Sequence, residues 1–377
     1  MRTARRSWRS IVAAFCLILW AGETLAADQV DVFLVSNVHV DESAGAATDA
    51  RATALSKGER QAFVQLFRRL TLKGDRMPQI SSDAIATTVQ DFAVANEKNS
   101  RVRYIADLTY RFKPAAVRRL LQEYGVHYAE TPSKPVLILP LYEVGETLNL
   151  WDDPNPWKKA WDAAAPRGGL VPVIVPQGGP ADAATISAQQ AGDGDDQSIA
   201  AIAKKYGVDT VIVAHATLAA GTRPSDEELR IAAVTFGPVE REQTLVTSLR
   251  PNAGETSDAL AGRAQAALSE MIEDDWKRAN LVQFGQNSVM IADMPLSSLT
   301  EWVEAQRRFK SIAIIQKVDL VLISKTEARF NLYYLGDSQQ LRLALSQQDI
   351  SLNEGEGNWT LGFNTAVKQS AGRAGSR

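Results

Sequence analysis

Lys134-Pro135-Val136-Leu137-Ile138-Leu139-Pro140 decides the fold class of this chain. Five residues in a row without a polar side chain do not suit a strand wetted on one side. They suit a strand covered on both faces, as in a sheet with helices above and below it. Val171 to Val175 reads the same way. Ser198 to Tyr206 is then a helix stopped by Gly207, and Val211-Ile212-Val213-Ala214 resumes as strand, which completes an α/β unit. Leu229 to Phe236 and Gln243 to Leu249 form a hairpin about Gly237-Pro238, and a helix from about Thr256 to Leu281 carries Leu260, Ala264, Leu268, Met271 and Ile272 on one face. Gln177 to Gln197, rich in Gly, Ala and Asp, is expected to be a mobile surface loop. These elements define an α/β domain over 135–283.

Working outward, the segment 27–130 predicts an α+β domain. Val30 to Val40 is its first strand. In the helix from about Ala46 to Leu70, Ala50, Ala54, Gly58 and Ala62 recur every four residues as a stripe narrow enough to approach a sheet closely. A second helix is expected over Ser82 to Val94. From Val102 to Phe112, apolar residues alternate with Arg101, Arg103, Asp107, Thr109 and Arg111, the period of a half-buried strand. Thr131-Pro132-Ser133-Lys134-Pro135 is a linker. On the other side, 287–363 shows the order β-α-β-β-α-β, a ferredoxin-like sandwich, with capping signals at Ser298/Glu301 and Asp337 and a closing strand at Trp359 to Phe363. The fold class is therefore α+β / α/β in three small domains. The tail 364–377 has no apolar pattern and is expected to be disordered.

The first 26 residues have the layout of a cleaved secretory signal: Arg2, Arg5, Arg6 and Arg9, then an apolar run from Ile11 to Trp20, then Thr24-Leu25-Ala26 before Ala27. The apolar run is about half of the ~20 residues that span a bilayer. Cleavage between Ala26 and Ala27 would remove Cys16, the only cysteine, and with it any disulfide, thiolate metal site or cysteine nucleophile. It would leave a net charge of −6, which does not suit a nucleic-acid binder. No further apolar run is long enough for a transmembrane span. The periplasm is the expected location.

Trp151-Asp152-Asp153-Pro154-Asn155-Pro156-Trp157, with Trp161 one turn on, is the only dense cluster of chemically distinctive side chains. Three indoles and two carboxylates suit a sugar-stacking or peptide-binding surface. The structural alternative is a rigid turn in which Asn155 caps a helix, Pro156 takes its first position and Trp157 and Trp161 dock on the sheet. Adjacent Asp152 and Asp153 are poorly placed to act as opposed acid and base. Asp193-Gly194-Asp195-Asp196 lacks the glycine and glutamate of a calcium loop. His39, His127 and His215 show no ligand spacing, and no nucleotide-binding or nucleophile-elbow motif occurs. Arg101, Arg103 and Arg111 form an ordinary solvated strand face. No cofactor or metal is expected.

The helix Ala50 to Leu70, the strand Val102 to Phe112, Lys134 to Pro140, Trp151 to Trp157 and Tyr334-Leu335-Gly336-Asp337 together resemble the exported bacterial domain-of-unknown-function 2066 proteins across almost the whole mature chain. That resemblance implies no reaction or ligand. The expectation is an exported, non-catalytic envelope accessory or binding factor, meeting an envelope protein or cell-wall glycan through Trp151, Asp152, Asp153, Asn155, Trp157 and Trp161. The competing reading is a periplasmic enzyme acting on cell-wall material through Asp152, Asp153 or Glu143. It requires those carboxylates to line a deep pocket.

Overall fold

The computed structural model describes residues 31–164, 168–219, 227–237, 244–282, 287–355 and 358–364. The expected signal segment and all but the first residue of the tail lie outside them. The first sheet is built from β1 (Leu34–Ser43), then α1 (Ala47–Leu70), α2 (Ser82–Thr88), β2 (Val89–Asn99), β3 (Arg103–Phe112) and α3 (Pro114–Glu123). Its order is β1-β3-β2, antiparallel throughout. Tyr104, Ala106, Leu108, Tyr110 and Phe112 alternate inward along β3, and α1 lays its small-residue stripe over them. The approach is close: a Cβ on Gly58 would stand 2.6 Å from Leu108 Cδ1 and 3.0 Å from Val40 Cγ1.

The helix expected over Ser82 to Val94 is corrected to seven residues followed by strand. Ser81 caps α2 by accepting from the Ala84 N–H, while Thr87 and Thr88 turn their hydroxyls back onto the Ala84 and Ile85 carbonyls. β-Branched residues stack poorly in a helix, and from Val89 the backbone instead pairs along β3, Val89 opposite Phe112 and Val94 opposite Leu108. The ladder outcompetes a weak helix.

The second sheet holds β4 (Val136–Val144), β5 (Thr147–Asn149), β6 (Val173–Ile174), β7 (Thr210–Ala219), β8 (Glu228–Phe236) and β9 (Thr244–Leu249). β4 and β7 are its parallel centre, in register from Val136↔Thr210 to Val144↔Leu218. Both faces are covered, as the apolar run at 136–140 demands. Ile138, Tyr142, Ala214 and Ile231 pack under α4 (Pro156–Asp162) and α8 (Ser257–Ala279). Leu137, Leu139, Leu141, Val211 and Val213 pack under α5 (Pro180–Ala183), α6 (Ala188–Asp193) and α7 (Asp196–Tyr206) and the chain between them. The mobile loop expected at 177–197 is therefore a correction: it is mostly short helix, anchored by buried Ile186 and Ala191. Buried Asp182 accepts from the Gly178 N–H, Lys205 Nζ and Tyr206 Oη. Gly194 ends α6 at φ +68 and Asp195 caps α7, so the acidic run is a helix-to-helix turn.

The third sheet has the order β11-β12-β10-β14-β13, from β10 (Asn287–Pro295), α9 (Leu299–Ser311), β11 (Ile315–Ile323), β12 (Glu327–Leu335), α10 (Ser338–Ser346), β13 (Ile350–Glu354) and β14 (Trp359–Phe363). β12 lies between β10 and β11 and is antiparallel to both, the split arrangement expected of a ferredoxin-like unit. The ending differs. The last strand is a hairpin, and β14 joins β10 in parallel. Ile350 and Leu352 are buried but Ser351, Asn353 and Glu354 dilute the pattern, so β13 has a weak apolar signal. The class of the whole is α+β, with mixed and antiparallel sheets.

From Asp31 onward the described residues form one compact unit. Buried Lys277 on α8 donates to the Arg68 and Thr71 carbonyls at the end of α1, both at 2.9 Å. Burial pulls its ammonium below the ordinary lysine range, partly offset by Glu273 and Asp274. Glu273 accepts from the Leu170 and Val171 N–H groups, and Trp276 Nε1 donates to the Thr131 carbonyl. Lys134 ties the linker to both neighbours, meeting Asp209 at 2.8 Å and Asp349 at 2.5 Å.

Candidate functional site

Asn155 is buried. Its Oδ1 accepts from the Lys158 N–H at 2.8 Å, and Pro156 fills the first position of α4. That cap fixes where the following indoles go. Trp157 is fully buried, donates from Nε1 to the Ala214 carbonyl at 2.8 Å and meets Trp161 edge-on at 5.7 Å between centroids. Trp161 is 3% exposed. Trp151 is half-buried on the opposite face of the same sheet, its Nε1 donating to the Ile186 carbonyl at 2.8 Å. The three indoles therefore share no common surface. Trp157 and Trp161 pack with α8 and Trp151 with the helical 180s, and the sheet stands between them.

What this segment shows to solvent is Asp152, Asp153 and Pro154. Asp153 sits 3.8 Å from Lys159 with most of its side chain in water. Neither carboxylate lines an enclosed pocket. The geometry matches the rigid-turn alternative residue by residue, and an aromatic stacking platform has no exposed aromatic pair here to supply it.

Glu143, the third carboxylate, does sit in a polar cluster. Its Oε2 lies 2.8 Å from His215 Nε2 and accepts from Thr217 Oγ1 at 2.9 Å, and that hydroxyl stands 3.4 Å from the same Nε2. A nucleophile relay places hydroxyl and carboxylate on opposite nitrogens of the imidazole. Here both meet one nitrogen and the hydroxyl points at the carboxylate, which holds strand ends together without activating the threonine. The other histidines are spent locally. His39 pairs with Asp107 at 2.8 Å, and His127 Nδ1 lies 3.4 Å from the Val282 carbonyl. Of the strand arginines, Arg103 pairs with Asp41 and Arg111 with Asp31, a solvated face. Among the described residues no group of three or more His, Cys, Asp or Glu is placed to hold a metal ion.

The feature that the sequence reading missed lies in the third sheet. Eight of the fourteen large apolar side chains exposed among the described residues fall between 289 and 323: Val289, Ile291, Leu299, Val303, Leu320, Val321, Leu322 and Ile323. Val289 and Ile291 project from the face of β10 opposite its buried Met290, Ala292 and Met294, and α9 and α10 pack on the buried face. On that open face Asp293 pairs with Arg329, and Lys317 with Asp319 while lying 5.4 Å from the Tyr333 ring centroid. Arg329, by its side-chain hydrogen bond and its charge, holds Asp293 below the usual carboxylate range. Leu320 to Ile323 is a visible apolar run. Its exposure follows from β11 being the outermost strand, which no local pattern reveals.

No helix among the described residues is long and apolar enough to cross a membrane. No family model matches the chain, and no curated protein matches it. Among solved structures it is similar to lipoprotein GNA1162 from Neisseria meningitidis, at 20% identity over 37% of this chain and 95% of that one, with a TM-score of 0.21. It is likewise similar to the LpoB C-terminal domain from Salmonella enterica, at 17% identity over 36% of this chain and 93% of that one, TM-score 0.21. Likeness at this level carries no inference about activity.

Proposed function

We propose that this chain is an exported envelope protein of the domain-of-unknown-function 2066 type that works by binding another protein, without catalysis of its own. Its contact surface is the open face of the third sheet, in place of the Trp151 to Trp161 segment. One observation carries the reading: Val289 and Ile291 stand exposed together on the open face of the sheet, bordered by the Asp293–Arg329 and Lys317–Asp319 pairs, with Leu322 exposed beyond Arg329. An apolar centre inside a charged rim is the anatomy of a protein contact. A glycan would call for exposed aromatic faces, and the indoles of the original candidate are turned inward. Export rests on the basic, apolar and small-residue order of the first 26 residues.

The test is a crosslinked affinity capture from fractionated cells, run with the wild type and with V289K/I291K. The expected result is a protein processed at Ala27, outside the cytosol, that recovers an envelope protein which the double variant loses. Equal recovery by both, or a cytosolic product starting at Met1, overturns the reading.

A further inference from the structure

Lys134 holds two carboxylates that belong to different sheets. Its Nζ donates to Asp209 Oδ2 at 2.8 Å, in the turn between α7 and β7, and to Asp349 Oδ1 at 2.5 Å, in the turn between α10 and β13. Its backbone N–H donates to Gln347 Oε1 at 2.7 Å. Burial works against the ammonium, yet the hydrogen bonds to Asp209 and Asp349 hold it above the ordinary lysine range. Two carboxylates this near one point repel each other unless a cation stands between them. Arg308 Nη1 also stands 3.8 Å from Asp349 Oδ2, but it comes from α9 of the same sheet and does not bridge. Asp349 has φ +55, in the left-handed region that glycine enters without cost. Its N–H donates to the Ser346 carbonyl and its own carbonyl accepts from the Asn364 N–H, bonds that glycine would make as well. What glycine would not supply is the carboxylate on Lys134.

The other end of α10 is tied too. Gln340 Nε2 donates to the Leu281 carbonyl at 3.0 Å. Gln340 lies seven residues before Gln347, about 10 Å away along the helix axis. Val282 at that end is itself held, its N–H donating to the Tyr128 carbonyl at 2.8 Å, and it belongs to an apolar cluster that the first and third sheets share. We infer that Lys134, Asp209 and Asp349 form a latch, and that its release lets the third sheet and its helices pivot about the Leu281–Val282 end of α10 while the chain stays folded. The shared apolar cluster keeps the pivot in place, and the ionic bridge at the far end of α10 sets the angle. Removing the ammonium turns attraction between the two sheets into repulsion between two carboxylates, so the latch has two states. All three groups are partly exposed, so an incoming ion can compete for them. The latch fixes which way the open face of the third sheet points, and it stands whatever that face binds.

Double electron–electron resonance tests this, between spin labels at K204C and N353C on either side of the latch in a C16S chain. Urea midpoints confirm that each variant folds. The wild type is expected to show one distance. K134M keeps the alkyl stem and leaves the two carboxylates facing each other. It adds a longer distance, and the open-to-closed ratio rises by about tenfold, the weight of one charge-assisted hydrogen bond. K134M/D209N/D349N removes the repulsion and falls back toward the wild-type distance. D349G, which suits the left-handed backbone but drops the bridge, also adds the longer distance. A folded K134M or D349G chain that keeps the wild-type distance overturns the inference, as does a triple variant no more closed than K134M. The capture experiment with V289K/I291K is read separately, so the latch and the binding function can each fail alone.

Discussion

Replacing Trp157 distinguishes an interior residue from a ligand-stacking one. Its side chain is fully buried between the second sheet and α8, its indole N–H holds the Ala214 carbonyl, and Trp161 lies edge-on at 5.7 Å with planes 86° apart. W157A removes the largest fully buried side chain among the described residues and leaves a cavity that neighbouring Leu260, Ala264 and Leu268 cannot fill without moving α8. Truncations of this kind cost about 3–5 kcal/mol. W157F keeps most of the ring but abandons the hydrogen bond, and an unmet buried acceptor costs about 1–3 kcal/mol. D152A/D153A, which touches only solvent-facing carboxylates, should change stability by less than about 0.5 kcal/mol. Urea unfolding followed by far-UV circular dichroism gives all three differences. The predicted order is W157A well below W157F, W157F below wild type, and the double aspartate variant indistinguishable from wild type. A W157A midpoint equal to wild type would refute the packing argument and return the segment to the surface.

Glu273 is the acceptor for two backbone N–H groups, at Leu170 and Val171, so E273A should cost about 2–4 kcal/mol by leaving both unmet, measured by the same urea titration. G58V drives side-chain atoms into Leu108 and Val40 where a Cβ alone is already at 2.6 and 3.0 Å, and overpacking of this sort costs about 1–3 kcal/mol, read as a lowered melting temperature. For pH, Arg307's hydrogen bond, with Arg308 assisting, holds the Glu304 carboxyl down to about 2. Its folded pKa lies below an unfolded value of about 4.3, so its contribution is complete above that value and is lost as pH falls toward 2. E304Q should flatten the acid limb of stability against pH between about 5 and 2, and an unchanged limb would show that the ion pair contributes nothing.

What the sequence disclosed was whatever its own periodicity encodes. The run at 136–140 announced a two-sided strand, the Ala50, Ala54, Gly58, Ala62 stripe announced a helix pressed on a sheet, and Asn155-Pro156 announced a cap. What it hid depends on distant partners. Val89 to Asn99 is strand because β3 offers a ladder at its side, and the short helices at 180–183 and 188–193 are held because Ile186 between them and Ala191 find the underside of β4 and β7. The candidate segment is divided in space for a physical reason. Tryptophans crowd the 151–161 segment because a tight turn must seat indoles on both faces of one sheet, and density in sequence became separation in space. The exposed edge at 320–323 could not be located, since being outermost is a property of the whole sheet and not of the strand.

The proposed contact with other envelope proteins passes through the third sheet. Photo-crosslinking in living cells tests it most directly, with a photoreactive residue placed at Ile291 in one strain and at Asp152 in another. Both positions are exposed, so both probes reach solvent. Discrete crosslinks to an envelope protein are expected from position 291 and none from position 152. Crosslinks from 152 alone would contradict it, and would hand the function back to the tryptophan turn.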